Sequence, residues 1–376
     1  MQSPKGNAGP VLLTPGPVMT SARVRDAAYS SLLSHRDPAF VALLDEAALG
    51  LTSIAGASHH DAILLAGGGT SATEAALATF ASPDKPLLVV SNGAFGERIA
   101  TIASALRLPV HHLALPWGAP IPLDRVADAL ERTRASAVAA VHHETSTAVL
   151  NPVQQIGELA HRASAHFFVD VVSSLGAEEF DASRAHASVV IGSANKCLHG
   201  IAGVSFVLAD RALWSHARTL TPATLYFDLK NYSLTAGGTR VPFTPPISAI
   251  AGLAEALREL ADEGGVSARR ACYQERHSRV ERNLIQLGIE QCYPGGGVCS
   301  LTVARIPEGH TSDSLYSALA REGFVVYQAK GGLRERAFLI ANMGALALDV
   351  FGAFFRALGG VMSKAEPHER VELADL

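Results

Sequence analysis

The sequence predicts an α/β fold: a large, mostly parallel sheet covered by helices on both faces, followed by a smaller C-terminal α/β domain. Three observations carry this. Short apolar runs alternate with helical stretches, each run ends in glycine or polar residues, and a chain of 376 residues exceeds one typical core. Such alternation implies right-handed crossovers between parallel strands. Ligands of these sheets sit at the carboxyl ends of the strands.

Residues 1–10 read as a mobile leader, and Leu12-Leu13-Thr14-Pro15-Gly16-Pro17 as a rigid turn that leaves backbone groups free. A helix starts near Ser21. Another opens at Asp37-Pro38 and aligns Phe40, Leu43, Leu44 and Ala47 on one face. The strand Ala62–Ala66 then runs through Gly67-Gly68-Gly69-Thr70-Ser71 into a helix over 72–80. Backbone N–H groups at such a junction can capture an anion, with Thr70 and Ser71 adding hydroxyls. A tight turn without a ligand is an equal reading of this segment alone. It matches neither the P-loop nor the dinucleotide glycine pattern, so nucleotide binding is not indicated.

A strand over 86–90 ends at Ser91-Asn92-Gly93, and Phe95-Gly96-Glu97-Arg98 opens the next helix, with 99–106 as its helical stretch. Strands 137–141 and 166–170 deliver His142-His143-Glu144-Thr145-Ser146-Thr147 and Asp170-Val171-Val172-Ser173 at their exits, with helices over 123–133 and 156–165. The run Val189-Val190-Ile191-Gly192 leaves its sheet through Ser193-Ala194-Asn195-Lys196-Cys197, and Gly200 and Gly203 follow as breakers. Leu346–Met362 reads as a packed helix, and the chain from Lys364 onward as a solvated tail.

This order converges Gly68–Ser71, Phe95, Thr145, Asp170 and Lys196 on one sheet edge. Taken singly, Lys196 reads as a surface lysine, Asp170 as a strand-end cap and Phe95 as core. A partly desolvated lysine, however, loses pKa and can serve as a Schiff-base amine. A carboxylate at an apolar strand end needs a partner such as a protonated ring nitrogen. Together with an anion cradle and an aromatic cover, these are the parts that pyridoxal 5'-phosphate (PLP) requires.

Composition removes other classes. The net charge of -4, with Lys and Arg scattered, gives no footprint for nucleic acid or an anionic membrane. No apolar run is long enough to span a bilayer, and the N-terminus lacks the pattern of a signal peptide. Cys197, Cys272, Cys292 and Cys299 lack metal or disulfide spacing and read as reduced thiols of a cytoplasmic protein. The pairs His59-His60, His111-His112 and His142-His143 read as surface or strand-end residues, so no metal is expected. The 48% hydrophobic content beside 18% charge favours an oligomer.

The segments Leu12–Pro17, Ser91-Asn92-Gly93-Ala94-Phe95-Gly96, His143–Thr147, Leu150-Asn151-Pro152, Val169-Asp170 and Ser193–Cys197 resemble the class V aminotransferases of fold type I. The Asn195-Lys196-Cys197 stretch and the helix Leu257–Val266 are most similar to the 2-aminoethylphosphonate:pyruvate transaminase subgroup. The likeness implies that Lys196 joins the cofactor's aldehyde and then moves the proton at Cα, and that Asp170 keeps the ring nitrogen protonated. It implies that Phe95 stacks on the ring, Thr145 contacts the phenolic oxygen, and Gly68, Gly69, Thr70 and Asn195 hold the phosphate. Thr244 is implied to reach the phosphate of a neighbouring subunit, which makes the enzyme a homodimer with shared sites. The implied reaction moves an amino group from 2-aminoethylphosphonate or a related small amine to pyruvate, giving phosphonoacetaldehyde and alanine. The implied domains are an N-terminal segment over 1–17 associated with the small domain, a PLP-binding domain over 18–260, a small domain over 261–364 and a tail over 365–376.

One departure stands out. Where the resemblance implies a substrate-clamping arginine, the stretch Phe338-Leu339-Ile340-Ala341-Asn342-Met343-Gly344 has Leu339, which cannot grip an anion. Arg334 or Arg336 is one candidate to reach the site instead, although each taken singly reads as part of a solvated loop, and Gly16 is a candidate beside the substrate. His35-Arg36 is a further source of cation, and the reaction itself is open. A lyase or a transaminase of another small substrate, an alanine/serine:glyoxylate-type enzyme, and a non-catalytic PLP-binding protein stay as alternatives. A cysteine desulfurase fits less, because Cys292 and Cys299 lie outside the shared motifs. Tyr226, Phe227 and Tyr232 are expected at the site entrance or at a subunit contact.

Overall fold

The computed structural model describes residues 9–30 and 32–364. The leader is therefore described only at Gly9 and Pro10, and the tail over 365–376 lies outside the described residues. The chain begins with the short strand β1 (Val11–Leu12), followed by α1 (Ala22–Ser30) and α2 (Pro38–Ile54). Asp37 caps α2 by accepting the Ala39 N–H at 2.8 Å, just ahead of a proline whose fixed φ suits a first helical turn.

Strands and helices then alternate as the sequence requires. The series runs β2 (His60–Ala66), α3 (Gly69–Phe80), β3 (Leu87–Ser91), α4 (Ala94–Ala105), β4 (Val110–Ala114), α5 (Leu123–Thr133) and β5 (Ala137–Val141). A small hairpin of β6 (His143–Glu144) and β7 (Val149–Leu150) precedes α6 (Val153–Arg162), β8 (His166–Asp170), β9 (Ala187–Ser193), β10 (Val204–Asp210) and α7 (Leu213–Ala217). The remainder is α8 (Ile247–Asp262), α9 (Val266–Gln286), β11 (Leu301–Arg305), α10 (Ser312–Arg321), β12 (Phe324–Val325), β13 (Tyr327–Gln328), β14 (Ala337–Ala341) and α11 (Leu348–Met362).

Seven strands form the central sheet in the order β2-β10-β9-β8-β5-β3-β4. Only β10 runs against its neighbours, so β2, β3, β5, β8 and β9 all end at one edge. The two-residue period of a strand splits the apolar runs between two layers. Leu88, Val90, Val138, Ala140, Phe167 and Val169 pack with α2, α5, α6 and α8; Leu87, Val89, Ala137, Ala139 and Phe168 pack with α3, α4 and α7. Each large apolar side chain buried in this way contributes roughly 1.5–3 kcal/mol.

The same parity governs the C-terminal three-stranded sheet, ordered β11-β14-β13. Phe338 and Ile340 of β14 face the core of α10 and α11, whereas Leu339 and Ala341 face Cys197, Tyr273 and Ala177 toward the larger sheet. β1 pairs in parallel with β12, and Leu13 accepts the Ala341 N–H at 2.9 Å. The segment Thr14–Pro17 therefore leaves the small sheet and arrives beside Lys196.

Several boundaries differ from the sequence reading. α3 starts at Gly69, because the Ser71 and Ala72 N–H groups already bond to Gly68 O. α4 starts at Ala94, directly ahead of the Phe95 at which the sequence opens it, and α6 spans Val153–Arg162, directly after Pro152. The helix read through Leu257–Val266 is two helices, because Gly264 and Gly265 take φ of +101° and +85° and turn the chain. His60, His142 and His143 are buried, not surface residues; His60 bonds to Ala187 O at 2.7 Å, and burial lowers the pKa of His143 to about 3. Among the described residues no His, Cys, Asp and Glu cluster could hold a metal ion, and no helix is long and apolar enough to cross a membrane.

Candidate active site

β9 releases the chain at Ser193, whose hydroxyl donates to Asn195 Oδ1 at 2.8 Å. The turn closes with His199 N to Lys196 O at 2.9 Å and Gly200 N to Ala194 O at 2.8 Å. Its far side is clamped by Arg269, buried in α9, which donates to Cys197 O at 2.9 Å. Lys196 thus has a fixed root and one free end. That end, Nζ, donates to Pro15 O at 2.5 Å. Gly16 makes this approach possible: at its φ of +124° a Cβ would stand 2.8 Å from Lys196 Cγ.

Burial lowers the Lys196 pKa to about 8; Cys197 and Asp170 oppose that fall, and Lys330 and Arg98 add to it. Asp170 ends the neighbouring strand β8, in register with Ile191 of β9. It is 8% exposed, and its Oδ1 accepts the Val172 N–H at 2.8 Å. Burial raises its pKa to about 6, against the opposing pull of that hydrogen bond, Lys196 and Arg98. Above that pH it is a carboxylate.

A buried glutamate fixes the third wall. Glu144 is fully enclosed, and its Oε2 accepts the N–H groups of Phe95 at 3.0 Å and Gly96 at 3.1 Å, at the start of α4. Its Oε1 accepts from the Ser146 hydroxyl at 2.5 Å. Charge at a helix N-terminus is stabilising, and the bonds hold the Phe95 ring and the Thr145 loop as one unit. Burial raises the Glu144 pKa, and these hydrogen bonds oppose the rise.

These elements enclose a cavity of ≈ 300 Å³ lined by Gly16, Gly68, Gly69, Thr70, Phe95, Arg98, Asp170, Asn195, Lys196, Tyr327 and Lys330. It adjoins a smaller compartment lined by Pro15, Thr145, Ser146, Gln328 and Leu339, which shares Gly16, Phe95, Lys196, Tyr327 and Lys330 with it. The donor set fits PLP. An amine that is neutral above about pH 8 and a carboxylate stand on adjacent strand ends. The first N–H groups of α3 precede the helix's own hydrogen bonds and suit a phosphate.

The cavity brings together Lys196, Asp170, Gly68, Gly69, Thr70, Phe95 and Asn195, with Thr145, Gly16 and Leu339 in the adjoining compartment. Two candidate residues are elsewhere. Arg334 and Arg336 are exposed, and Arg334 pairs with Glu335 at 3.6 Å; the turn Gly331–Leu333 carries both outward, so neither lines the cavity. Thr244, expected to serve a neighbouring subunit and not its own chain's cavity, is exposed near Tyr226, Tyr232 and Phe243. Tyr226 and Tyr232 pack at a tilt against Phe243, with ring centroids 5.3 and 5.8 Å away, and neither they, Phe227 nor His35-Arg36 lines either compartment.

Arg98 and Lys330 were not singled out by sequence. The Arg98 guanidinium lies 4.8 Å from the Phe95 ring centroid and bonds to Thr70 Oγ1 at 3.3 Å. Three-residue spacing puts it on the Phe95 face of α4, a signal the sequence did contain. Lys330 Nζ lies 4.5 Å from the same centroid. Nothing local marks it, since its placement depends on the pairing of β13 with β14.

A family model described as aminotransferase class-V matches residues 22–331. The chain is 33% identical over 358 residues to the 2-aminoethylphosphonate–pyruvate transaminase of Salmonella typhimurium, covering 93% of this chain and 95% of that protein. It is 36% identical over 339 residues to the enzyme of the same name from Syntrophobacter fumaroxidans, covering 85% and 88%. Among solved structures, pyridoxamine-pyruvate aminotransferase from Mesorhizobium loti superposes with a TM-score of 0.88 at 26% identity, covering 97% of this chain and 95% of that one.

Proposed function

The chain belongs to the class-V aminotransferases, which are PLP-dependent enzymes, and from that premise we propose that it moves the amino group of 2-aminoethylphosphonate, or a related small amine, to pyruvate. The observation that carries the reading is the single cavity holding Lys196, Asp170, Phe95 and the start of α3. The donor and acceptor rest on the relatives that share its length.

Bound PLP supplies an aldehyde for the amine and a ring that accepts the electron pair left when Cα loses its proton. In this reading Lys196 Nζ is the nucleophile and then the base that carries the Cα proton, a role its lowered pKa suits. Asp170, ionised above about pH 6, holds a proton at the ring nitrogen. Phe95 would cover one face of the ring, Thr145 would serve its phenolic oxygen, and Gly68, Gly69, Thr70 and Asn195 would hold the phosphate.

The division near Leu260 belongs to the same proposal, supported by separate apolar cores on the two sides. So does a homodimer. Leu49 and Leu234, 71% and 59% exposed, line one groove beside Arg240 that a second copy would cover, and Thr244 stands free to reach a partner. The four free cysteines support a cytoplasmic location. Leu339 favours a second reading, in which the same machinery serves a different small amine.

The test is to incubate holoenzyme with 2-aminoethylphosphonate and pyruvate and to quantify alanine, phosphonoacetaldehyde and ammonia. Alanine and phosphonoacetaldehyde in equal amounts are expected. Ammonia released without pyruvate would replace this reading with a lyase.

A further inference from the structure

The larger compartment is lined by the cations Lys196, Arg98 and Lys330 and by the carboxylate Asp170. In the reading above, Lys196 and Asp170 are committed to the cofactor's aldehyde and ring nitrogen. Arg98 is tied to Thr70 at the phosphate end. Lys330 is left over. Its Nζ sits over the Phe95 ring, and it forms none of the ion pairs found among the described residues.

Like Lys196, Lys330 lines both the cofactor compartment and the one bounded by Leu339, Gln328 and Thr145, and it is the one of the two not committed to the cofactor. It follows β13, whose Tyr327 is the cross-strand partner of Leu339 on β14. The lysine, on the loop just after β13, and the leucine, on β14, therefore line one space. A half-buried ammonium that forms no ion pair is costly: burial, with Arg98, lowers the Lys330 pKa, and the Glu144 carboxylate opposes that fall only in part. An incoming oxyanion removes that cost.

We propose that Lys330 is the cation that receives the substrate's oxyanion, in place of the arginine expected at the position of Leu339. The proposal rests on the cavity being the cofactor and substrate site of an aminotransferase. An ammonium is a compact charge with three donors on a flexible stem, whereas a guanidinium is a planar fork matched to planar partners. Lys330 thus accommodates a tetrahedral phosphonate and a planar carboxylate in successive halves of one reaction, with Leu339 as an apolar wall.

The experiment titrates holoenzyme calorimetrically with ethylphosphonate and with propionate, which carry the anion but no amine. Lys330→Met should weaken binding of both probes by ~10- to 100-fold, the loss of one charge-assisted contact, with unchanged cofactor content. Lys330→Arg should recover most of the loss, and Arg334→Ala should have no effect. The assignment is overturned if Lys330→Met binds both probes as the wild type does, or if the wild type binds neither. It is also overturned if Lys330→Met sheds the cofactor in proportion, which would place the lysine in the cofactor cradle. Should the wild type fail to transaminate 2-aminoethylphosphonate while probe binding still depends on Lys330, the donor is wrong and the assignment stands.

Discussion

The two halves of the active cavity are built in different ways. On the cofactor side, Lys196, Asp170 and Gly68–Thr70 stand at the ends of β9, β8 and β2, where the pairing of a seven-stranded sheet fixes each to its neighbour. On the substrate side, Leu339 is held by β14, but the neighbouring cation, Lys330, stands on a loop between β13 and a short helical turn. The first half is set by backbone and tolerates little change. The second is a wall plus a flexible charge, and it can be retuned without disturbing the sheet.

The largest effect that separates them is expected at Lys196. Lys196→Ala should lower turnover on the order of 10⁴-fold if, as proposed, one side chain serves as nucleophile and base. The variant should fold normally, because the turn that carries Lys196 is held by Arg269 and backbone hydrogen bonds and the substitution removes one side-chain hydrogen bond, to Pro15 O. Absorption of the bound cofactor and the melting temperature check both halves of this statement. A variant that keeps the wild-type spectrum removes Lys196 from the mechanism.

That asymmetry also explains what the sequence discloses. The strand-end positions of Lys196, Asp170 and Gly68–Thr70 are legible because a short apolar run followed by polar residues has one meaning in a parallel sheet. Phe95 and Thr145 follow for the same reason. Lys330 does not, because its neighbours in space come from the pairing Tyr327 to Leu339 and from the Phe95 ring, both distant in the chain. Arg334 and Arg336 are the natural candidates by sequence, being cationic and close to Leu339. The turn at Gly331–Leu333 sends them into solvent. Glu144 was equally hidden: a carboxylate in a polar loop gives no hint that it is fully buried under the first turn of α4.

A smaller effect sharpens the substrate half. If Leu339 and Lys330 share one anion-binding task, restoring a cation at one should offset its loss at the other. In the Lys330→Met background, adding Leu339→Arg should recover ~10-fold of the lost ethylphosphonate affinity, because a guanidinium rooted on β14 points into the same compartment. In the wild-type background the same change should help little, since Lys330 and the new arginine would repel each other in a confined space. Additive effects in the two backgrounds would show that the positions act on separate ligands.

The smallest effect tests whether the halves communicate. In the proposed reading cofactor-free protein takes up PLP through the neutral Lys196 amine, so uptake should rise with pH through about 8 rather than through the ordinary lysine range near 10.5. Burial is the main cause of the depressed value, and the positive charges of Lys330 and Arg98 add to it. The sign follows from like-charge repulsion: a nearby ammonium disfavours the charged form of Lys196, so removing it favours that form. Lys330→Met should therefore move the uptake midpoint upward, whereas Leu339→Met, which alters no charge, should leave it in place. Stopped-flow absorbance across the pH range reads both. A midpoint that stays fixed in Lys330→Met would make the loop lysine electrostatically silent at the cofactor, and the two halves would then be coupled through the bound substrate alone.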